Sequence, residues 1–402
     1  MSAAAASGRP LHVLLVHNAY QQRGGEDSVV EAEAALLRAH GHRVTEYQRH
    51  NDELAGASKA QAAVQTLWSP RTVRDFEAQV RADRPDVVHV HNSFPLVSPS
   101  IYWAADRAGI PVVQTLHNFR LFCPQAMFLR EQKVCEDCLG HLPWRGVVRR
   151  CYRDSAAQTA VLTGMLGLHR ALGTYRNKVG RYIALNNFCR DKFIEGGLPA
   201  DRIVIKPNFI ESQAQPQWEQ RDGGLYVGRL SKEKGIDVLA QAAATLPPGR
   251  LQIIGGGELE PLAQQAFGAG YLGFRKLDFI LEAMGRASYL VVPSVWYENF
   301  PRTIVEAYAS GLPVIASRIG ALAELVEHER TGLLFEPGDA ADLARKLAWA
   351  EQHPQRMREM GQAARREYEQ RYTPETNHEQ LVGIYRSVMS GGAATEVRRA
   401  AA

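Results

Sequence analysis

Short apolar, β-rich runs alternate with helical segments along this chain, and the alternation starts twice. The first series opens with Leu11-His12-Val13-Leu14-Leu15-Val16-His17. A Gly-rich turn, Arg23-Gly24-Gly25-Glu26-Asp27, then leads to a helix from about Ser28 to His40 and a strand from Arg43 to Tyr47. Asp86 to His91, Pro111 to His117 and Arg181 to Leu185 read as further strands. Lys206-Pro207-Asn208 and the polar, Gln-rich run from Glu211 to Gly224 read as a linker. Then Leu225 to Val227, Leu251 to Ile254, Tyr271 to Gly273, Tyr289 to Val292 and Pro313 to Ala316 begin a second series. Strands alternating with helices predict parallel sheets covered on both faces. In 402 residues the doubled pattern predicts an α/β chain of two doubly wound, Rossmann-like domains. The first spans 10–207 and the second 208–370. A helix over 371–390 is expected to cross back to the first domain, with a frayed end after Gly391.

The net charge of +4 suits anionic substrates or a lipid surface and is too small to imply nucleic acid. No apolar run is long enough to span a bilayer, and Met1 to Pro10 lacks the apolar core of a secretory leader. The expected compartment is the cytoplasm, where five cysteines read as thiols or metal ligands.

Two loops carry the chemistry. In Ser294-Val295-Trp296-Tyr297-Glu298-Asn299-Phe300-Pro301-Arg302-Thr303-Ile304-Val305-Glu306-Ala307, two glutamates frame seven residues between an apolar strand and a helix that Gly311 stops. Such a strand–loop–helix unit points backbone N–H groups and the positive helix end at its guest. Carboxylates such as Glu298 and Glu306 accept paired hydrogen bonds from vicinal hydroxyls. Gly228-Arg229-Leu230-Ser231-Lys232-Glu233-Lys234-Gly235 follows another strand. Arg229 supplies a planar fork for phosphate oxygens and Lys234 a point charge. Each loop alone reads as a solvated, charged turn; together they describe a grip on a sugar nucleotide. A departing nucleoside diphosphate needs its negative charge neutralised by a metal or by fixed cations. With no Asp-x-Asp motif in the cleft-facing loops, Arg229 and Lys234 are expected to serve, and no catalytic cofactor is expected.

On these residues, with Gly24-Gly25, His117 and Gly255-Gly256-Gly257, the chain from Leu11 to Ser390 resembles the GT-B fold retaining glycosyltransferases of family 4, glycosyltransferase group 1. The resemblance implies two domains facing a central cleft. It implies that Arg229 and Lys234 bind the donor diphosphate, that Glu298 contacts the donor sugar and that His117 lies against the reacting sugar. Backbone N–H groups of Asn299 and Phe300 would line the sugar and phosphate, Thr303 would donate to a phosphate and Glu306 would hold the ribose. Gly25 would let backbone approach the phosphate or acceptor. Pro301 stands where the family usually has glycine, which removes a donor. The implied reaction is transfer from a nucleotide-diphosphate sugar to a glycan or lipid-linked acceptor, with retention, in polysaccharide or glycoconjugate synthesis. A phosphorylase or hydrolase on the same fold, or a non-catalytic sugar-nucleotide-binding subunit, are the alternatives.

Three further patterns stand beside the motifs. His17, His89, His91 and His117 end strands and are expected to face the cleft. Cys123, Cys135, Cys138 and Cys151, in an insertion over about 120–152, have the count and spacing of a structural zinc site, with four packed thiols or an oxidisable pair as the alternatives. Arginines and lysines from Arg145 to Arg181 surround an apolar stretch. That suits peripheral contact with an anionic membrane at its inner face, or an ordinary amphipathic helix.

Overall fold

The structure, a computed structural model, describes residues 9–21, 24–56, 58–212 and 215–400. Arg23 of the Gly-rich turn, residues 1–8 and part of the Gln-rich run lie outside the described residues. The first sheet contains β1 His12–Ala19, β2 Arg43–His50, β3 Val87–Asn92 and β4 Val112–Thr115. A small antiparallel hairpin follows, β5 Leu129–Arg130 and β6 Lys133–Val134, before β7 Arg181–Ala184 and β8 Ile203–Ile205 complete the first sheet. The second sheet contains β9 Gly224–Val227, β10 Leu251–Ile254, β11 Tyr271–Gly273, β12 Tyr289–Val292, β13 Val314–Ser317 and β14 Gly332–Phe335.

Both six-stranded sheets are parallel, ordered β2-β1-β3-β4-β7-β8 and β11-β10-β9-β12-β13-β14. Their strands are apolar on both faces because helices cover both. Along β1, Val13 and Leu15 join one buried cluster, while Leu14 and Val16 join the other. Strand order reverses between β1 and β3, and between β9 and β12. Loops leaving the carboxyl ends of such strand pairs diverge and leave a crevice. Here they are the Gly24-Gly25 turn after β1, the Arg229–Lys234 loop after β9 and the Ser294–Thr303 loop after β12.

The C-terminal helix Pro374–Ala400 lies against the first sheet, where Leu381, Val382 and Tyr385 cluster with Leu11, Val13 and Leu15. Its Asn377 and the linker residue Lys206 meet at 3.0 Å.

Several expectations change. The first helix spans Gly25–Ala39 and begins at Gly25, not Ser28. Asp27 accepts from the Gly24 N–H at 2.7 Å and caps it early. Helices Lys59–Leu67 and Pro70–Ala82 and strands β8 and β14 were not legible. The short strands carry no alternation, and pairing with β7 and β13 makes them strands. The final helix runs past Gly391 to Ala400, where a frayed end was expected.

Candidate active site

Lys234 closes the short helical turn Lys232–Lys234 after β9, and Glu298 lies in the loop after β12. The crossing of β9 beside β12 brings them together: Lys234 Nζ donates to Glu298 Oε1 at 2.5 Å. Ser294 Oγ donates to the same oxygen at 2.7 Å and Trp296 Nε1 at 3.2 Å. Glu298 is 5% exposed, and its Oε2 has no hydrogen-bond partner among the described residues. One oxygen of the carboxylate is therefore locked, and the other remains for a ligand hydroxyl. Arg229 is mostly exposed; its guanidinium lies 3.2 Å from Glu233 and its carbonyl accepts from Tyr226 Oη at 2.6 Å, so the guanidinium can swing toward an anion.

The loop then enters the helix Arg302–Ala309. Pro301 caps it without a side-chain bond, and the backbone N–H groups of Asn299, Phe300, Arg302 and Thr303 have no partner among the described residues. A helix start with free N–H groups favours a negative guest. Thr303 sits in that first turn. Glu306, one turn on, is buried, and its carboxylate has no hydrogen-bond partner among the described residues. Burial pushes its pKa up, and the nearby Arg302 opposes this. A buried, unpartnered carboxylate is costly unless a ligand satisfies it.

The side chain of Asn299 serves a different end. It accepts from Cys189 Sγ at 2.9 Å and donates to the Leu116 carbonyl at 3.2 Å. Asn186 donates to its backbone carbonyl at 2.6 Å. The loop bearing Glu298 is thus tied to the first domain beside His117, and Phe188 packs edge-on against Tyr297.

His117 is partly exposed and bonds His91 Nδ1 through Nε2 at 2.9 Å. Burial lowers its pKa, although Glu26 and Glu33 oppose this, so the ring is neutral near pH 7. Gly25 opens the first helix, and a Cβ there would meet nothing within 4 Å, so the space above its backbone is clear.

The cleft-facing expectation for the other histidines does not hold. His17 is buried against Asp27 at 2.7 Å. His89 is fully buried between Thr115 and Tyr385, each at 2.8 Å. His91 is buried with its Nε2 3.4 Å from Glu33 Oε2, and both atoms otherwise lack hydrogen-bond partners. Both rings belong to a polar core beneath the cleft, because helix Gly25–Ala39 and the C-terminal helix cover that part of β3. Glu33, His89 and His91 have ligand atoms within 4.8 Å of one another, but Lys206 Nζ already sits 2.8 Å from Glu33 Oε1 and supplies the cation.

Residues 210–367 match the family profile "Glycosyl transferases group 1", and residues 24–208 match "Glycosyl transferase 4-like domain". A D-inositol 3-phosphate glycosyltransferase from Pseudarthrobacter chlorophenolicus is 34% identical over 332 residues, covering 71% of this chain and 68% of that protein. The chain belongs to the group 1 glycosyltransferases.

The sulfoquinovosyl transferase SQD2 of Arabidopsis thaliana is 33% identical over 323 residues, 75% of this chain and 56% of that protein. The chain spans little more than half the length of this relative and of the amylovoran biosynthesis glycosyltransferase AmsK of Erwinia amylovora. Anabaena Alr3699/HepE, solved in complex with UDP, superposes with a TM-score of 0.66 at 19% identity, covering 94% of this chain and all of that one. Sucrose-phosphate synthase from Thermosynechococcus elongatus superposes at 0.69 with 20% identity, over 95% of this chain and all of the other. These likenesses establish the GT-B architecture for this group 1 glycosyltransferase.

Sequence reasoning missed Ser294 and Trp296 as holders of Glu298, and Asn186, Cys189 and Leu116 as partners of Asn299. Trp296 lies two residues before Glu298, and that closeness was the available signal. None of the four cysteines of the insertion is in a disulfide; Cys123 and Cys138 are buried, Cys135 and Cys151 half-buried.

Proposed function

We propose that this group 1 glycosyltransferase moves a sugar from a nucleoside diphosphate donor to an acceptor hydroxyl, with retention of configuration. The observation that carries the reading is the Lys234–Glu298 pair at 2.5 Å, set beside the free N–H groups at the start of helix Arg302–Ala309. HepE, with the same fold, is described in complexes with UDP and with UDP-glucose, which supports a donor of that class here.

In this reading Arg229, Lys234 and the N–H groups of Phe300 and Thr303 neutralise the departing diphosphate. Glu298 Oε2 orients the donor sugar through its hydroxyls, and Glu306 accepts from the ribose. His117, neutral, meets the sugar from the opposite domain. The leaving phosphate takes the acceptor's proton on the same face, so the protein supplies position and charge rather than a nucleophile.

The acceptor reading is a lipid-linked or membrane-associated saccharide used in cell-surface polysaccharide or glycoconjugate synthesis, with the enzyme at the cytoplasmic face. No helix among the described residues is long and apolar enough to cross a membrane. A cavity of about 320 Å³ lined by Ala62, Ala63, Phe94, Val161 and Leu162 has Lys59 and Arg153 in its wall, which suits an amphipathic acceptor. Trp144 is 57% and Val148 74% exposed among Arg145, Arg149 and Arg150, a surface suited to an anionic bilayer.

The test is thermal stabilisation by UDP, GDP, ADP and dTDP, then by their sugars. Binding to the folded chain raises its melting temperature by mass action. A shift with one nucleotide, weakened by Arg229→Ala, supports the donor site. No shift with any of them, and no transfer with the sugars, overturns the reading.

A further inference from the structure

Glu33 and His91 are fully buried, the proposed reaction leaves them without a part, and each carries one side-chain atom with no hydrogen-bond partner, Glu33 Oε2 and His91 Nε2. A buried polar atom without a partner costs stability, and such atoms mark functional or strained places. These two face each other at 3.4 Å. They sit in the middle of a line of contacts that runs from the C-terminal helix to the cleft. Lys206, after β8, lies 2.8 Å from Glu33 Oε1 on helix Gly25–Ala39, and Asn377 Oδ1 accepts from the same ammonium at 3.0 Å. On the other side His91 Nδ1, near the end of β3, bonds His117 Nε2 at 2.9 Å.

Charge decides where the protons sit along this line. Burial raises the pKa of Glu33, but Lys206 outweighs it and the net shift is downward, so Glu33 is a carboxylate. Burial, with His89, holds His91 well below the usual histidine range against the pull of Glu33. Its ring is neutral near pH 7 and carries one proton. A lone pair on Nε2 would confront carboxylate lone pairs in the core, whereas an N–H there meets a charged acceptor. The proton of His91 therefore sits on Nε2. Its Nδ1 is then an acceptor, and His117 has to donate to it from Nε2. His117 is neutral as well, which leaves its Nδ1 a lone pair with no partner among the described residues. The rival groups are engaged elsewhere. His89 Nδ1, 3.7 Å from Glu33 Oε2, bonds Tyr385 Oη at 2.8 Å. Glu26, the other acid that acts on His117, accepts from Tyr20 at 2.9 Å and from Asn118 at 2.6 Å.

We propose that Glu33 acts through His91 as a positioning residue: it fixes the proton of His117 on Nε2, so that His117 Nδ1 presents a hydrogen-bond acceptor to a hydroxyl of the donor sugar. This rests on the reading in which His117 meets that sugar. A donor with a hydroxyl at that point satisfies the lone pair, and a deoxy analogue leaves it unmet.

Glu33→Gln reverses the line while keeping its shape. Lys206 has only donors, so it retains the amide oxygen and turns the amide NH2 toward His91. His91 Nε2 must then accept, its Nδ1–H donates to His117 Nε2, and the proton of His117 moves to Nδ1. The cleft then meets a donor instead of an acceptor.

The test is NMR of isotope-labelled histidine ring nitrogens in the full-length chain at about pH 8, where free imidazole is neutral. The His117 signal is identified by its loss in His117→Asn. In the unaltered chain His117 Nε2 should be pyrrole-like and Nδ1 pyridine-like; the reverse overturns the proposal. In Glu33→Gln the two should exchange, and a ring that does not exchange overturns it too. A merely structural Glu33 would lower the melting temperature without moving this proton. Should the variant not fold, the spectrum of the unaltered chain decides. In the activity arm, kcat/KM for the nucleotide sugar should fall roughly tenfold or more in Glu33→Gln while the bare nucleotide still binds. An exchanged ring with unchanged kcat/KM overturns the sugar contact. The ring spectrum needs neither donor nor acceptor, so it judges the relay even if the transferase reading fails.

Discussion

Asn299 donates its side-chain amide to the main-chain carbonyl of Leu116 at 3.2 Å, across the boundary between the two domains. The neighbours of this pair in sequence are Glu298 and His117, so this hydrogen bond, together with those from Asn186 and Cys189 to Asn299, sets the spacing of the two proposed sugar contacts. Replacing Asn299 by Leu strands the Leu116 carbonyl and leaves Cys189 only the backbone carbonyl of residue 299, at 3.4 Å. The loss should be about 1–3 kcal/mol. The melting temperature should fall, and kcat should drop more than nucleotide affinity. Solution scattering should show a wider chain; an unchanged radius together with unchanged kcat would sink the idea.

Glu298 has one locked oxygen and one free. Glu298→Gln keeps the shape but removes the charge that faces Lys234, and it should cut kcat by about 10²–10³-fold. Nucleotide binding should persist, because Arg229 and the helix N–H groups are untouched. Steady-state kinetics with calorimetric binding of the bare nucleotide separates the two effects. A variant that keeps full turnover removes Glu298 from the mechanism.

Gly235 has φ of +70°, and a Cβ there would sit 1.9 Å from the Pro293 carbonyl oxygen. Gly235→Ala therefore has to push the Lys234 turn away from the strand end that carries Ser294. Backbone strain alone costs on the order of 1–3 kcal/mol. The melting temperature should fall and the donor-induced rise in it should shrink. Wild-type behaviour in both would show that the turn can move without penalty.

The C-terminal helix carries its own acid sensitivity. His378 stacks on His40 with ring centroids 3.8 Å apart and bonds His42 at 3.0 Å. Burial, then His40, His42 and Arg386, lowers the pKa of His378 to about 4, and burial with Arg386 and His40 lowers that of His42. A depressed folded pKa means that the unfolded chain binds the extra proton, so acid favours unfolding. This stability is complete above about pH 6.5 and is lost as pH falls toward the folded value. Buried His89 and His91, also lowered mainly by burial, act in the same direction. The melting temperature should fall steadily below about pH 6.5. His378→Phe should flatten part of that slope; an equally steep profile would show that the cluster plays no part.

Lys206 and Glu33 show why much of the interior was not legible. They form a fully buried ion pair at 2.8 Å across 173 residues of sequence. Neither residue lies in a motif, and a lysine beside a proline reads as a linker charge. His89 and His91 were misplaced for a related reason: period two assigns them one face of β3 but does not say which helix covers that face. The Arg229–Lys234 loop and the Glu298–Glu306 segment were legible because their meaning is local, a strand end followed by charges and a helix start at short spacing.

The sequence by itself determined the doubled βα alternation and the residues of the two loops after β9 and β12, since periodicity, glycine and charge act over a few residues. Only the tertiary structure decided that Lys234 meets Glu298, that the Asn299 side chain ties the domains, and that the C-terminal helix seals the polar core at His89. Those contacts depend on strand order and on which helix covers which face, and both are set by burial summed over the whole chain.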